Sequence, residues 1–443
     1  MAYNEGKRPF ERASKSNHTY IIKDADVKAF IKNHEMPKES DSISLIDKYL
    51  VDIDYKDEKP LEYIVAVDGG DTTVPVKKKF PSAAFTFFQF GANLLSTSDL
   101  KDLKTNPFIS PTAIAKLKDL ERIKFVLPTK NIGRKLPDGS KATPTLSVRN
   151  ALYEFFKKHS YLDTLKWFLF REYLPQPRPQ HELASHPADS SIKKIAISRG
   201  SINSNYIIPH AAGEIFLTDV FRLHEVVDDD IGAGGIIGYL RNLIEHIIII
   251  DTIKGVYKAS KERLNEVLFI KDGPLGFFGQ TANMHEPMRD LINHLANEAN
   301  IHLVGIEKSG IFVEHAVEIA EKIKPGQAYL LSNQHIYSYI KVGDPDNSEP
   351  YGSTSYYGSK IIFKSRDERL YVVTIPTENS ETVLDPKKVN FKNIDVILEY
   401  VERLKSDMYD NALLPIALVN KLVSISDHPS SALLEKFAKK NVL

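Results

Sequence analysis

The sequence predicts a mixed α/β fold, with one large β-sheet covered by helices. Two apolar runs of β type lead directly into an aspartate and a glycine, at Asp68-Gly69 and Asp272-Gly273. Further strand patterns follow from residue 192 onward and alternate with helical ones. The chain has 443 residues, of which 42% are hydrophobic, so it can bury a large core.

The N-terminal half predicts a β-hairpin followed by helices. Residues 1–57 form a polar lead-in segment with one helical stretch near 25–33, and the strand that leads to Asp68 pairs with a second strand at 83–90. Helical patterns follow at 113–123 and 147–158. We therefore predict a catalytic core at 58–95 and 190–443, interrupted by a mostly helical insertion at 96–189.

The C-terminal half predicts the remainder of the sheet and its helices. The strand patterns lie at 195–198, 215–218, 267–271, 301–306, 361–364 and 371–376, and the helical patterns at 238–253, 285–300, 313–323, 393–405 and 411–424. Helices placed between strands in this order can cover both faces of one sheet.

Composition excludes several classes of protein. Lys plus Arg equals Asp plus Glu at 58 each, so no overall basic field indicates nucleic acid. The absence of cysteine excludes disulfides and thiolate metal sites and is typical of a cytoplasmic protein, as is an N-terminus without an apolar signal segment. The isoleucine run at 247–250 is far too short to span a membrane.

The acidic residues predict a divalent-metal site. A carboxylate beside a glycine at the end of a buried strand can reach a metal or a phosphate, and Asp68 and Asp272 both have this setting. Glu245, on a predicted helix four residues after Arg241, could complete a trio. Mg2+ and Mn2+ prefer oxygen ligands, and such ions promote phosphodiester hydrolysis.

Simpler interpretations stay open for each of these residues. Glu245 and Arg241 could form a surface salt bridge, and Asp-Gly pairs also mark ordinary turns. Lys308 follows the strand pattern at 301–306 and could contact a phosphate, while Glu307 could be a further ligand or part of a solvated turn. Lys130 and Arg134 belong to a basic strip that runs from Lys124 to Lys141 and could contact DNA phosphates or simply form an exposed loop.

The motifs, taken in order, resemble those of the NurA nucleases. They are the strand with Asp68-Gly-Gly, the helix with Arg241 and Glu245, the strand with Lys-Asp272-Gly-Pro-Leu, Val-Gly-Ile-Glu-Lys308-Ser, Tyr-Tyr-Gly-Ser-Lys360 and Tyr371-Val-Val-Thr-Ile-Pro. The resemblance covers residues 61–93 and 192–424. One departure is Asn420, which stands where the family usually has a histidine; an amide can coordinate a metal but cannot carry a proton.

The resemblance implies an RNase H-like fold and Mn2+-dependent cleavage of DNA. It also implies a homodimer that forms a ring and a hexameric HerA-type ATPase that feeds DNA into it. On this reading Asp68, Glu245 and Asp272 match the three acids of the family, and Lys308 matches the lysine after the next strand.

Two other functions remain in competition with the nuclease. Asp68-Gly-Gly-Asp-Thr-Thr73 also looks like the first phosphate-binding hairpin of actin-like ATPases and sugar kinases, in which an aspartate holds Mg2+. A non-catalytic subunit of a DNA-processing complex would keep the same acids only as parts of turns.

Overall fold

The computed structural model describes residues 17–38, 43, 45–55, 61–79, 82–98, 121–136, 139–228, 230–406, 412–426 and 428–442. Its main element is a nine-stranded sheet with the order β1-β11-β12-β13-β10-β9-β2-β3-β4. The strands are β1 Leu50–Asp52, β2 Tyr63–Lys77, β3 Ala83–Ser96, β4 Glu121–Lys130, β9 Val267–Asp272, β10 His302–Glu307, β11 Gln327–Leu330, β12 Gly358–Lys364 and β13 Leu370–Pro376. Two small hairpins add β5 Gln180–Ser185 with β6 Lys193–Ser198, and β7 Ile207–Ile208 with β8 Ile215–Phe216.

Helices flank this sheet, as the sequence predicts. They are α1 Asn17–Lys23, α2 Ala25–Lys32, α3 Pro144–Lys158, α4 Tyr161–Leu169, α5 Ile237–Ala259, α6 His285–Glu298, α7 Ile311–Glu318, α8 Asn333–His335, α9 Ile394–Arg403, α10 Leu414–Val423 and α11 Ser430–Val442. The expected mixed α/β architecture is therefore confirmed.

Five neighbouring strands have the order and directions of an RNase H-like sheet. The strand β3 runs antiparallel to its neighbours β2 and β4, and β2, β9 and β10 run parallel. The helix α5 lies between β4 and β9 in the chain, and α6 lies between β9 and β10. Parallel neighbours need such crossovers because the chain must return to the same end of the sheet.

The core lies on both faces of the sheet. One hydrophobic cluster joins Val65 and Val67 to the buried side of α5, and a second joins Ile64 and Ala66 to α10. Successive residues of β2 thus enter different clusters because side chains alternate across a strand. This burial on both faces explains why β2 and β9 begin as continuous apolar runs.

The structure differs from the sequence interpretation at several strands. The strands expected at 195–198 and 215–218 are β6 and β8, which belong to the small hairpins and not to the main sheet. β2 does not end at Asp68 but continues to Lys77, so Asp68-Gly69 is not a turn. The helix expected at 113–123 is wrong at its end, because Glu121–Lys130 forms the edge strand β4; residues 113–120 lie outside the described residues. The proposed domain boundaries stay a prediction.

None of the helices in the described ranges is both long and apolar enough to cross a bilayer.

Candidate active site

Asp68 and Asp272 lie on neighbouring parallel strands at the same level of the sheet. The ladder between β2 and β9 ends with the pair Val67 and Lys271, so the two aspartates are the next residues on each strand. Residues at equivalent positions of paired strands project from the same face, which here is the face covered by α10. The sequence prediction that these two acids meet is consistent with this register.

Glu245 reaches the same end of the sheet from the opposite face. It is buried on α5, and its Oε2 accepts a bond of 2.8 Å from Nζ of Lys271. Its Oε1 lies close to Gly69, since a Cβ atom at Gly69 would be 3.1 Å from that oxygen and 2.6 Å from Cδ1 of Phe90. The glycine after Asp68 therefore leaves room for the Glu245 carboxylate.

Lys271 is a functional candidate that the sequence interpretation missed. Its side chain is only 2% exposed, and besides the bond to Glu245 its Nζ donates to the backbone carbonyl of Asp272 at 2.7 Å. Buried lysines are rare unless they are paired. A lysine at the end of the apolar run from Val267 to Ile270, directly before an acid, was the signal in the sequence.

Lys308 lies beside Asp272, as expected from its place after β10. Its Nζ is 2.8 Å from Oδ2 of Asp272, and both side chains are about a quarter exposed, at 25% and 23%. Glu307 points away from Asp272, because it pairs with the buried Lys360, whose Nζ lies over the rings of Phe312 and Tyr356. Lys308 thus has access to solvent at the site, whereas Glu307 is already neutralised.

The electrostatics of the cluster raise the pKa values of two acids. Burial, then the negative charges of Asp272 and Glu245, raise the pKa of Asp68 to about 7. Burial also raises the pKa of Glu245, although Lys271 opposes this shift. Like-charged carboxylates held together in a poorly solvated place favour a proton or a cation between them.

The residues of the cluster fit a divalent cation, but with two carboxylate ligands, Asp68 and Asp272, and not three. Among the described residues no three or more His, Asp or Glu side chains stand in an arrangement that could hold a metal ion. The reason lies in the sheet, since Asp68 and Asp272 project from one face while Glu245 on the other face is bound to Lys271. Mg2+-type ions commonly use one or two carboxylates together with waters and substrate phosphates.

The predicted DNA-binding residues fall into two places. Arg241 stands one helical turn before Glu245, where its Nη1 is 2.8 Å from Oδ1 of Asp71. Lys130 is at the far end of β4, level with Ala84 and Pro75. Because Pro75 is seven residues beyond Asp68, Lys130 lies about 23 Å from the carboxylates along the hairpin. Arg134 follows in an exposed loop beyond Lys130.

Two exposed basic residues of β4 lie nearer: Arg122, which the sequence interpretation did not name, and Lys124, which it named only as the start of the basic strip. Arg122 pairs with Gly91, which pairs with Asp68, so Arg122 stands on the face of Asp68 two strands away, at about 10 Å. Lys124 takes the equivalent place beside Gln89 and Gly70. The alternation of basic and buried residues along 122–125 was a strand signal available in the sequence.

The C-terminal end of α10 covers the sheet beside Asp68. A Cβ atom on Gly70 would lie 2.5 Å from the carbonyl oxygen of Val423, and Gln89 donates to the carbonyl of Leu422 at 2.6 Å. Asn420 is exposed on this helix. The helix on which the resemblance expects a histidine is thus adjacent to the site.

Comparison with known proteins gives a distant likeness of fold. No family model matches the sequence, and no curated protein matches it. Among solved structures, the NurA nuclease from Sulfolobus solfataricus is similar with a TM-score of 0.32 and 7% identity over 97% of both chains. A second NurA structure gives a TM-score of 0.27 and 13% identity over 98% of both chains. Such values assign neither family nor activity, and a fold alone does not determine function.

Proposed function

We propose that this protein is a divalent-metal-dependent DNA nuclease whose site is formed by Asp68, Asp272, Glu245, Lys271 and Lys308. The observation that carries the proposal is the meeting of Asp68 and Asp272 at one end of the sheet, beside two lysines and with Glu245 beneath them. Perturbed carboxyl groups in such a cluster are typical of sites that bind a cation and handle phosphate.

A bound Mn2+ or Mg2+ would supply the Lewis acidity needed for phosphodiester hydrolysis. Asp68 and Asp272 would hold this ion. Asp68, whose pKa is raised to about 7, would give up its proton as the ion binds. The partly exposed ammonium group of Lys308 would donate to an oxygen of the phosphate, which a compact lysine charge can do without fixed geometry.

The substrate we propose is DNA, guided by local positive charge because the chain as a whole has a formal charge of zero. Arg122 and Lys124 lie exposed on the face of Asp68 and would bind the phosphates nearest to the site. Lys130 and Arg134 would bind phosphates farther along the same hairpin, and Arg241 would contribute from α5. Lysine and arginine bind phosphates without sequence preference.

The course of β2 favours the nuclease over the kinase-like alternative. Phosphate-binding hairpins turn at their glycines so that backbone N–H groups surround the phosphates. Here Gly69, Gly70 and Thr73 lie within one strand and pair regularly with Phe90, Gln89 and Thr86. Their backbone groups are therefore engaged with β3 rather than arranged around a nucleotide.

We further propose that the protein acts as a homodimer in the cytoplasm together with a hexameric HerA-type ATPase, in DNA end processing or in defence against phage. This part rests on the motif order of the sequence alone. Light scattering on the purified chain, with and without such an ATPase, measures both assemblies. A monomer that stays separate from the ATPase would contradict it.

The decisive experiment is cleavage of linear DNA with Mn2+. We expect the wild-type chain, alone or with the ATPase, to degrade DNA, and Asp68→Asn and Asp272→Asn to lose on the order of 100-fold or more in rate. The control is Asp163→Asn, which changes an acid paired with Lys254 outside the cluster. Hydrolysis of ATP by the purified chain without DNA cleavage would favour the kinase-like class, and no activity of either kind would favour the non-catalytic subunit.

A further inference from the structure

The ammonium group of Lys271 occupies the centre of the acidic cluster. It lies between Oε2 of Glu245, at 2.8 Å, and the backbone carbonyl of Asp272, at 2.7 Å. Gly273 lies beside this ammonium group, because a Cβ atom on Gly273 would be in ordinary contact with Nζ of Lys271, at 3.7 Å. The Lys271 charge is therefore fixed in position by two acceptors and belongs to the site rather than to the surface.

The two faces of the sheet divide the three carboxylates unequally. Asp68 and Asp272 share the face covered by α10, where a cation can enter beside the exposed Lys308. Glu245 and Lys271 share the other face, where their side chains are only 6% and 2% exposed. A buried pair of this kind is costly to break, because the remaining charge would stay uncompensated.

We propose that Lys271 is a built-in second cation of this site, so that the centre takes one divalent ion rather than two. The inference rests on the proposed nuclease function and deepens it. In paired-ion sites two metals about 4 Å apart neutralise the acids and the phosphate together. Here Lys271 already neutralises Glu245, which leaves Asp68 and Asp272 for a single ion.

The balance of charge agrees with one ion. Three carboxylates face two ammonium groups in the cluster, those of Lys271 and Lys308, which leaves one negative charge. One divalent ion turns this into one positive charge, which a single phosphodiester neutralises. Two divalent ions would leave three positive charges, two more than a single phosphodiester neutralises.

Lys271 is thus a positioning residue, which acts by holding Glu245 and excluding a second metal. Its role is measured by the number of Mn2+ ions bound per chain, from calorimetric titration and from the electron paramagnetic resonance signal of free Mn2+, without any cleavage. We expect one ion for the wild-type chain. We expect two for Lys271→Met, in which the Glu245 carboxylate is released for an additional ion.

Two further variants make the outcome unambiguous. Lys271→Gln keeps a donor near Glu245 but removes the charge, so we expect this variant to bind two ions as well. It provides the test if Lys271→Met does not fold. The matched control is Lys254→Met, which removes another buried, paired lysine, bound to Asp163, and should still bind one ion. Circular dichroism verifies that each variant is folded.

The possible outcomes separate this inference from the proposed function. Two ions on the wild-type chain would overturn the role of Lys271 while leaving the metal-dependent nuclease intact. A single ion on folded Lys271→Met and Lys271→Gln would also overturn it, because the lysine would then be merely structural. No Mn2+ bound to the wild-type chain would instead overturn the proposed function itself.

Discussion

Asp68 is a buried carboxyl group with two acidic neighbours. Without a bound cation, its ionised form therefore lowers the stability of the folded protein. Its pKa rises from 3.8 to about 7 through burial and the charges of Asp272 and Glu245. The folded state therefore holds a proton that the unfolded state releases between these two pH values. Stability from this residue is present below about pH 4 and is lost as the pH rises towards 7.

We predict that Asp68→Asn is more stable than the wild type at pH 7.5, and that this gain in stability is smaller at pH 5. The amide cannot ionise, so up to about 4 kcal/mol of electrostatic destabilisation disappears at the higher pH. Thermal unfolding at both pH values, in a metal chelator, measures the difference. Adding Mn2+ should raise the melting temperature of the wild-type chain and not that of the variant, because a ligand of the folded state stabilises it by mass action. An equal effect of Mn2+ on both chains would contradict this role of Asp68.

At the scale of single elements, the sequence predicted those whose pattern is local. The buried strands β9, β10, β12 and β13 and the helices α6 and α9 follow their apolar patterns to within a few residues, whereas β2 and α5 begin near the expected positions but extend farther. Two short strands of the main sheet, β1 and β11, were missed, because three or four residues give no measurable period. The meeting of Asp68 with Asp272 was predictable, since both follow apolar runs of parallel strands.

The partners of the acids were less predictable than the acids. The contact of Lys271 with Glu245 depends on which residue of β9 faces α5, and therefore on the register between β2 and β9. Similarly, a salt bridge of Arg241 with Glu245 four residues later was the alternative interpretation in the sequence, but the partner of Arg241 is Asp71 on β2. Long-range register of this kind is set by tertiary packing and leaves no local pattern.

The contact between α10 and the hairpin β2–β3 gives a test of packing beside the site. We predict that Gly70→Ala costs about 1–3 kcal/mol, because its Cβ would meet the carbonyl oxygen of Val423 at 2.5 Å and the helix end must move. The control is Gly238→Ala in α5, which has open space at its Cβ and should gain up to about 1 kcal/mol from helix propensity. Chemical denaturation compares the two. A Gly70→Ala protein as stable as the wild type would show that α10 does not pack there.

We predict that DNA contacts the exposed basic residues of the edge strand β4. We expect the double variant Arg122→Ala, Lys124→Ala to bind single-stranded DNA more weakly and with a smaller dependence on salt. Each lost phosphate contact lowers the slope of log affinity against log salt by about 0.7. Fluorescence anisotropy at several salt concentrations measures this slope, with the exposed pair Lys193→Ala, Lys194→Ala as a control. An unchanged slope would show that neither Arg122 nor Lys124 contacts a DNA phosphate.

At the scale of the whole molecule, several histidines are built into the core in their neutral form. Burial lowers the pKa of His302 and of His315 to about 4, and burial together with His315 lowers that of His335 to about 3. His315 and His335 share a hydrogen bond of 2.8 Å between their Nε2 atoms. The unfolded chain binds protons at these residues already near pH 6.5, and the folded chain does not.

We predict that these histidines lower the stability of the chain as the pH falls from about 6.5 to about 4, opposite to the contribution of Asp68, and that His302→Leu loses less. The stability from His302 is complete above its unfolded pKa of 6.5, and its loss amounts to as much as about 3 kcal/mol. Urea denaturation of both proteins at pH 7 and pH 5 measures this, with the exposed His34→Gln as a control. Parallel pH profiles for wild type and His302→Leu would contradict a neutral His302 in the folded state.

Net charge and sheet architecture together describe how the whole molecule would meet its substrate. The formal charge is zero, so on the proposed function the chain would have no overall basic field to attract DNA and would depend on the local basic residues of β4 and on enclosure within an assembly. The carboxylates lie at the end of the RNase H-like part of the sheet, between α5 and α10. On the proposed function, DNA would be cleaved only where its backbone reaches these carboxylates.

The most direct test is the anomalous diffraction of crystals grown or soaked with Mn2+. We expect one strong peak between the carboxylates of Asp68 and Asp272, with Lys308 displaced from Asp272 and Lys271 still bound to Glu245. Crystals of Asp272→Asn should lack the peak. The absence of manganese at these two aspartates in the wild-type crystals, at a concentration that supports DNA cleavage, would contradict the central claim that they form the metal site.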